Sequence, residues 1–113
     1  MDEKIRTIIA YGDYFNEFIR KLPEDVVMKF YYVFTLLETR ERLSSKFVKP
    51  IRNGLYELRV EYDGNIYRAF FIFDKGRLVI LFNGFQKKTQ KIPNREIEKA
   101  LRIMEEYYAD KKQ

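Results

Sequence analysis

The sequence predicts an α+β fold: an N-terminal strand and a helical hairpin packed on an antiparallel β-meander, closed by a C-terminal helix. Three observations predict it. From Glu24 to about Leu43, apolar residues recur at three- and four-residue steps, the spacing of one helical face. From Leu55 to Gly84, three apolar runs follow each other with only short turn signals between them. After Pro93 the helical spacing returns and continues almost to the end of the chain.

Each element has its own reason. Ile5 to Tyr11 is rich in β-branched residues and reads as a strand, broken by Gly12-Asp13. Asp13 is placed to cap a helix carrying Tyr14, Phe15, Phe18, Ile19 and Leu22 on its buried face. Pro23 separates it from the second helix, whose stripe is Val26, Val27, Phe30, Val33, Phe34 and Leu37. Glu24 and Asp25 open that helix, and Arg40 and Arg42 are expected in its last turn, as the helix dipole favours. Ser44 to Gly54 reads as irregular, with turns at Pro50 and Asn53-Gly54. The meander strands are Leu55 to Tyr62, Ile66 to Phe73 and Leu78 to Gly84. In the final helix Ile97, Ala100, Leu101, Met104 and Tyr108 mark one face, and Lys111-Lys112-Gln113 are expected to fray.

Composition excludes several functions. The 113 residues fit one compact domain spanning 1–113, and 46% hydrophobic residues suffice for a core. With no cysteine there is no disulfide framework and no thiolate metal site. With no histidine, the commonest general base and metal ligand is missing. Carboxylates do not cluster at metal-ligand spacing, so neither a metal nor another cofactor is expected. No apolar run reads as a signal peptide or a membrane span, so a soluble cytoplasmic protein is expected.

Charge is unevenly distributed. Residues 1–43 sum to −1, residues 44–92 to +6, and residues 93–113 to zero. The whole basic excess therefore lies in the middle segment, the electrostatic footprint of an anionic partner such as nucleic acid. Lys46, Lys49 and Arg52 in its loop are candidates for the edge of an anion site.

Asp63-Gly64 signals a two-residue hairpin, which sets Arg59 directly opposite Arg68 on one face. Opposed like charges need compensation. Glu57 and Glu61 share that face and are able to neutralise them. Alternatively, the two guanidiniums jointly hold a phosphate, which their fork geometry suits. The second hairpin leaves two registers open. A two-residue turn at Lys75-Gly76 sets Arg68 opposite Asn83, giving a polar row Arg59–Arg68–Asn83; a three-residue turn sets it opposite Phe82. That row points to a lysine-rich strand end, Asn83-Gly84-Phe85-Gln86-Lys87-Lys88-Thr89-Gln90-Lys91-Ile92-Pro93.

Leu55-Tyr56-Glu57-Leu58-Arg59, Tyr67-Arg68, and the block from Phe85 to Pro93 in this order resemble the RelE/ParE toxin superfamily, in its HigB-like, phage-derived branch. The resemblance covers nearly the whole chain and implies a RelE-like fold. It also implies the toxin of a type II toxin–antitoxin pair: a ribosome-dependent endoribonuclease acting on messenger RNA in the decoding site. Its implied partner is a helix-turn-helix, HigA-like antitoxin. By motif match, the catalytic role falls to Arg59, Arg68 and Lys87 or Lys88. Lys49, Arg52, Asn83, Gln90 and Lys91 are then expected to contact RNA. Tyr56, Tyr62, Tyr67 and Phe85 become candidates for stacking on an unpaired base. Two readings compete with the enzyme: a ParE-like inhibitor of gyrase that cuts no RNA, and a basic RNA-binding module without catalysis.

Overall fold

The computed structural model describes residues 3–87 and 92–112. Its elements are β1 (Thr7–Ala10), α1 (Tyr14–Ile19), α2 (Glu24–Thr39), β2 (Val48–Arg52), β3 (Leu55–Tyr62), β4 (Asn65–Asp74), β5 (Leu78–Lys87) and α3 (Asn94–Lys111). They form the expected α+β architecture. The sheet is larger than the meander alone: five strands in the order β1-β5-β4-β3-β2. β1 joins β5 in parallel, and every other pair is antiparallel.

The sheet is covered on both faces, and strand periodicity decides which side chain meets which layer. On one face Leu58, Val60, Tyr67, Ala69 and Phe71 pack under Phe15, Phe30, Val33 and Phe34 of α1 and α2. On the other, Phe70, Ile72, Ile80 and Phe82 pack under Ala100 and Ile103 of α3. β4 is the central strand and is buried from Tyr67 through Ile72. That double burial explains its apolar run from Ala69 to Phe73, which lacks the alternation of a half-exposed strand.

Several expectations need correction. The stretch after Ser44 contains a strand: Val48–Arg52 pairs with β3 through a two-residue turn at Asn53-Gly54. Both turn residues have positive φ, 57° and 84°, as a tight hairpin turn requires. Pro50 is tolerated because β2 is an edge strand, and the register shifts beside it. α2 ends at Thr39, so Arg40 and Arg42 fall outside its last turn. Asp13 makes no capping bond and instead pairs with Arg20 at 2.8 Å. The α3 face uses Tyr107, which packs in the second core; Tyr108 is exposed.

The end of α3 does not fray at Lys111. Asp74, buried at the end of β4, accepts a bond from the Tyr107 hydroxyl (2.5 Å) and pairs with Lys111 Nζ (2.7 Å). The Lys111 bond, followed by the Tyr107 bond, holds the Asp74 carboxyl below its usual pKa. Burial, reinforced by the same hydrogen bond, pushes Tyr107 up to about 12. Tyr11 and Tyr14 of the N-terminal region tie α3 again, through Asp110 and Glu106.

Two predictions follow from this packing. A Cβ on Gly84 would lie 2.4 Å from Phe18 Cδ2 and 2.9 Å from the Arg68 carbonyl oxygen. Backbone on one side leaves it no route of escape, so Gly84→Ala should destabilise the fold by about 1–3 kcal/mol in denaturant titration. Because the folded Asp74 pKa is depressed, its contribution is present above the unfolded carboxylate range and is lost as pH falls through the lower folded value. Asp74→Asn should cost about 2 kcal/mol at neutral pH. It should also flatten the fall in thermal stability below about pH 4.

Candidate functional site

The hairpin at Asp63-Gly64 has the two-residue turn that its sequence predicts, with φ of 50° and 80°. Arg59 therefore stands opposite Arg68, and Glu57 opposite Phe70. These four positions share the sheet face that α3 partly covers, since Phe70 belongs to the core under that helix.

The two arginines are not equivalent. Arg68 is 4% exposed, and its Nη1 lies 2.5 Å from Glu57 Oε1, itself in a side chain only 3% exposed. Arg59 is 22% exposed and pairs at 2.9 Å with Glu61, which is half in solvent. An exposed pair of the second kind is worth at most about 1 kcal/mol and exchanges readily. Breaking a buried pair leaves a stranded charge and costs about 3–5 kcal/mol.

The buried pair is incompletely satisfied. Among the described residues, Glu57 Oε2, Arg68 Nε, Arg59 Nε and both amide atoms of Asn83 are buried without a hydrogen-bond partner. Orphaned polar atoms of this density are rare in folded interiors, and their concentration beside two arginines makes this face the candidate site.

The β4–β5 register differs from both sequence alternatives. The turn is Lys75-Gly76-Arg77, with Asp74 opposite Leu78. A bulge follows between the Phe71↔Leu81 and Ala69↔Gly84 pairs, so Phe82 and Asn83 together face Phe70. The extra residue sets Arg68 opposite Phe85, and neither Asn83 nor Phe82 occupies that position. The row across the sheet is thus Arg59–Arg68–Phe85. Phe85 is half-buried and stacks on Phe70, with ring centroids 5.6 Å apart and planes at 22°.

The remaining candidates divide by position. Lys49 pairs in register with Glu57 on the edge strand and is exposed, so it borders the site. Arg52 sits opposite Leu55 at the far end of β3, about 13 Å of strand rise from Arg59. Tyr56 and Tyr67 lie on the opposite face: Tyr56 stacks on Phe71, and Tyr67 is buried against Phe30. Tyr62 donates to Asp25 of α2 at 3.0 Å. Lys87 is the last residue of β5, at the register position opposite Ile66. Lys88, Gln90 and Lys91 lie outside the described residues. Among the described residues, no group of acidic side chains is placed to hold a metal, and no helix is long and apolar enough to cross a membrane.

A family model described as Phage derived protein Gp49-like (DUF891) matches residues 17–105. The chain belongs to the Gp49-like family. The matched span contains α2, the whole meander and most of α3, and with them every side chain of this site. No curated protein matches the chain.

Sequence reasoning missed two members of the site in this Gp49-like protein. Phe70 forms the floor under Phe85; the β3–β4 register sets it opposite Glu57, and the bulge sets Phe85 opposite Arg68, on the same face. The second is the depth of Glu57: the hairpin register aligned it with the arginines, but its burial depends also on β2, which pairs Lys49 with it from the other side.

The pair itself is open to test. Arg68→Ala should destabilise the protein by about 3–5 kcal/mol in chemical denaturation, because Glu57 remains buried alone. Arg68→Met combined with Glu57→Leu should cost much less, since no charge is then stranded.

Proposed function

We propose that this chain is the toxin of a type II toxin–antitoxin pair, a HigB-like endoribonuclease that cuts messenger RNA on the ribosome. The observation that carries the reading is the row Arg59–Arg68–Phe85 on one sheet face, beside buried polar atoms that lack partners. The family match to phage-derived proteins agrees with it at a coarser level. So does the basic excess of residues 44–92, which include the whole row.

Metal-free RNA cleavage proceeds by attack of a 2′-oxygen on the adjacent phosphorus. The bond from phosphorus to the 5′-oxygen breaks, leaving a 2′,3′-cyclic phosphate and a 5′-hydroxyl. One proton leaves the 2′-hydroxyl and one reaches the departing oxygen. Charge that builds on the phosphoryl oxygens must be met by fixed cations.

Arg59 suits that charge-stabilising role. It is accessible, always protonated, and held only by a surface carboxylate that a phosphate can displace. Arg68 suits a different role: locked to Glu57, it fixes the field and shape of the floor. Phe85 offers a ring on a rigid base for an unpaired nucleobase. Lys87 or Lys88, by motif match, supplies the further cation. So small a set of acid–base groups fits an enzyme that relies on the ribosome to orient its substrate, because positioning alone supplies large rate factors. In this reading a helix-turn-helix, HigA-like antitoxin holds the protein inactive in the cytoplasm.

The test uses Arg59→Ala, which spares the buried pair. After brief induction, primer extension on cellular messenger RNA should show new 5′ ends within translated frames. Those ends should fall by about a hundredfold or more with Arg59→Ala, the scale of losing one charge-stabilising donor. They should vanish when translation initiation is blocked. Growth arrest without new ends would sink the nuclease reading and favour a protein target such as gyrase.

A further inference from the structure

β2 stops pairing with β3 at Val48↔Leu58, and the Arg59 amide donates to the Phe47 carbonyl at 2.7 Å. Beyond that point β3 has a free edge as far as Tyr62. A cavity of about 420 Å³ opens there, between the strand edge, the Lys46-Phe47 turn and the outer face of α2. Lys29, Tyr32, Lys46, Phe47, Arg59 and Tyr62 line it together with the acidic Glu61 and Asp63.

We propose that this groove seats an unpaired nucleotide of the RNA strand next to the one held at Arg59. The inference rests on the reading of the sheet face as an RNA site and extends it to a second subsite.

Cations and rings are interleaved in the groove. Lys29 Nζ stands 5.7 Å from the Tyr32 ring centroid, and Lys46 Nζ stands 5.8 Å from that of Phe47. A nucleotide presents the matching pair of features, a flat base and an anionic phosphate. Tyr32 is 54% exposed and, among the described residues, stacks on no other ring. Lys29 stands over one face of it, and the other face is the one offered to a base. The Tyr62 hydroxyl is anchored to Asp25, which fixes that ring at the groove wall without consuming its face.

Arg59 belongs to both places. It stands in the row with Arg68 and Phe85, and it also lines the groove. A single strand bound at Arg59 can thus pass over the β3 edge toward Lys29 and Lys46, skirting Glu61 and Asp63. Glu61 and Asp63 argue against an acidic peptide as the occupant, whose carboxylates they would repel; a nucleotide avoids that repulsion when its phosphate lies toward Lys29 and Lys46 and its uncharged base toward the carboxylates.

The experiment measures fluorescence anisotropy of a labelled single-stranded RNA of about eight nucleotides, within the usual site size for such grooves. The same RNA, carrying photoreactive uridines, is cross-linked to the purified chain and the attached peptide is identified by mass spectrometry. Tyr32→Ala should weaken binding about tenfold. Lys29→Ala should weaken it and reduce the slope of affinity against salt. Both residues lie on the outer side of α2, and thermal melting checks that each variant stays folded. Cross-links should fall on peptides containing Tyr32, Phe47 or Tyr62.

Unchanged affinity in both variants, or cross-links confined to the Phe85 peptide, would overturn the subsite. So would absence of RNA binding by the natural chain, or a protein partner that protects the groove while RNA binding ignores it. The two readings fail separately. Cellular cuts that depend on Arg59 with unaffected groove variants remove the groove alone. Groove cross-links without cellular cuts support the subsite and remove the nuclease.

Discussion

A guanidinium and a carboxylate buried face to face on one side of the sheet constrain everything around them. Arg68 and Glu57 are each nearly inaccessible, and either one alone would be a costly isolated charge. Their contact demands one register between β3 and β4, because a slip by a single residue would turn one of them to the other face. The Asp63-Gly64 turn enforces that register with two residues in the left-handed region. The bulge on β5 then brings Asn83 and Phe85 to the neighbouring strand positions. Core packing holds the pair from both sides of the sheet: α1 and α2 cover one face and α3 the other.

That rigidity is spent on polarity. An apolar pair at these two positions would satisfy the core without stranding polar atoms, yet among the described residues five buried polar atoms stand unpartnered here. Three of them belong to Glu57 and Asn83, which offer acceptors and one amide donor; the other two are arginine Nε donors. In the proposed reading, a phosphodiester with a neighbouring hydroxyl meets such a mixture, its phosphoryl oxygens facing the Nε donors and its hydroxyl the acceptors. Stored polarity of this kind is a feature of binding sites that are built before their ligand arrives.

What the sequence revealed follows from which interactions are local. The β3–β4 register was legible because a two-residue turn leaves no freedom, and Arg59 falls opposite Arg68 as that turn predicts. The β4–β5 register was not, because a three-residue turn and a bulge each add one residue, and the bulge has no glycine or proline to announce it at Phe82-Asn83. β2 was hidden by Pro50 and its flanking charges, which an edge strand accepts. The parallel pairing of β1 with β5 joins segments some seventy residues apart and leaves no local trace. One part of the site was more legible than its reading. Tyr56 stands three residues before Arg59 and Tyr67 immediately before Arg68, so strand alternation alone sends both to the opposite face.

The difference in exposure between the two arginines also bears on how such a site works. A residue that is to exchange partners during a reaction must be weakly held, and one that is to define geometry must be strongly held. Arg59 meets the first condition: its partner Glu61 is half in water, and solvent screening keeps that contact weak. Arg68 meets the second, because its partner has no water to turn to. The cross-strand pairing places these two kinds of guanidinium side by side on a single pleat. A phosphate arriving from solvent would displace Glu61 readily and leave Glu57 in place. Two like charges at directly opposed strand positions are therefore tolerable here because each has its own carboxylate, and the unequal burial of those carboxylates separates the mobile contact from the fixed one.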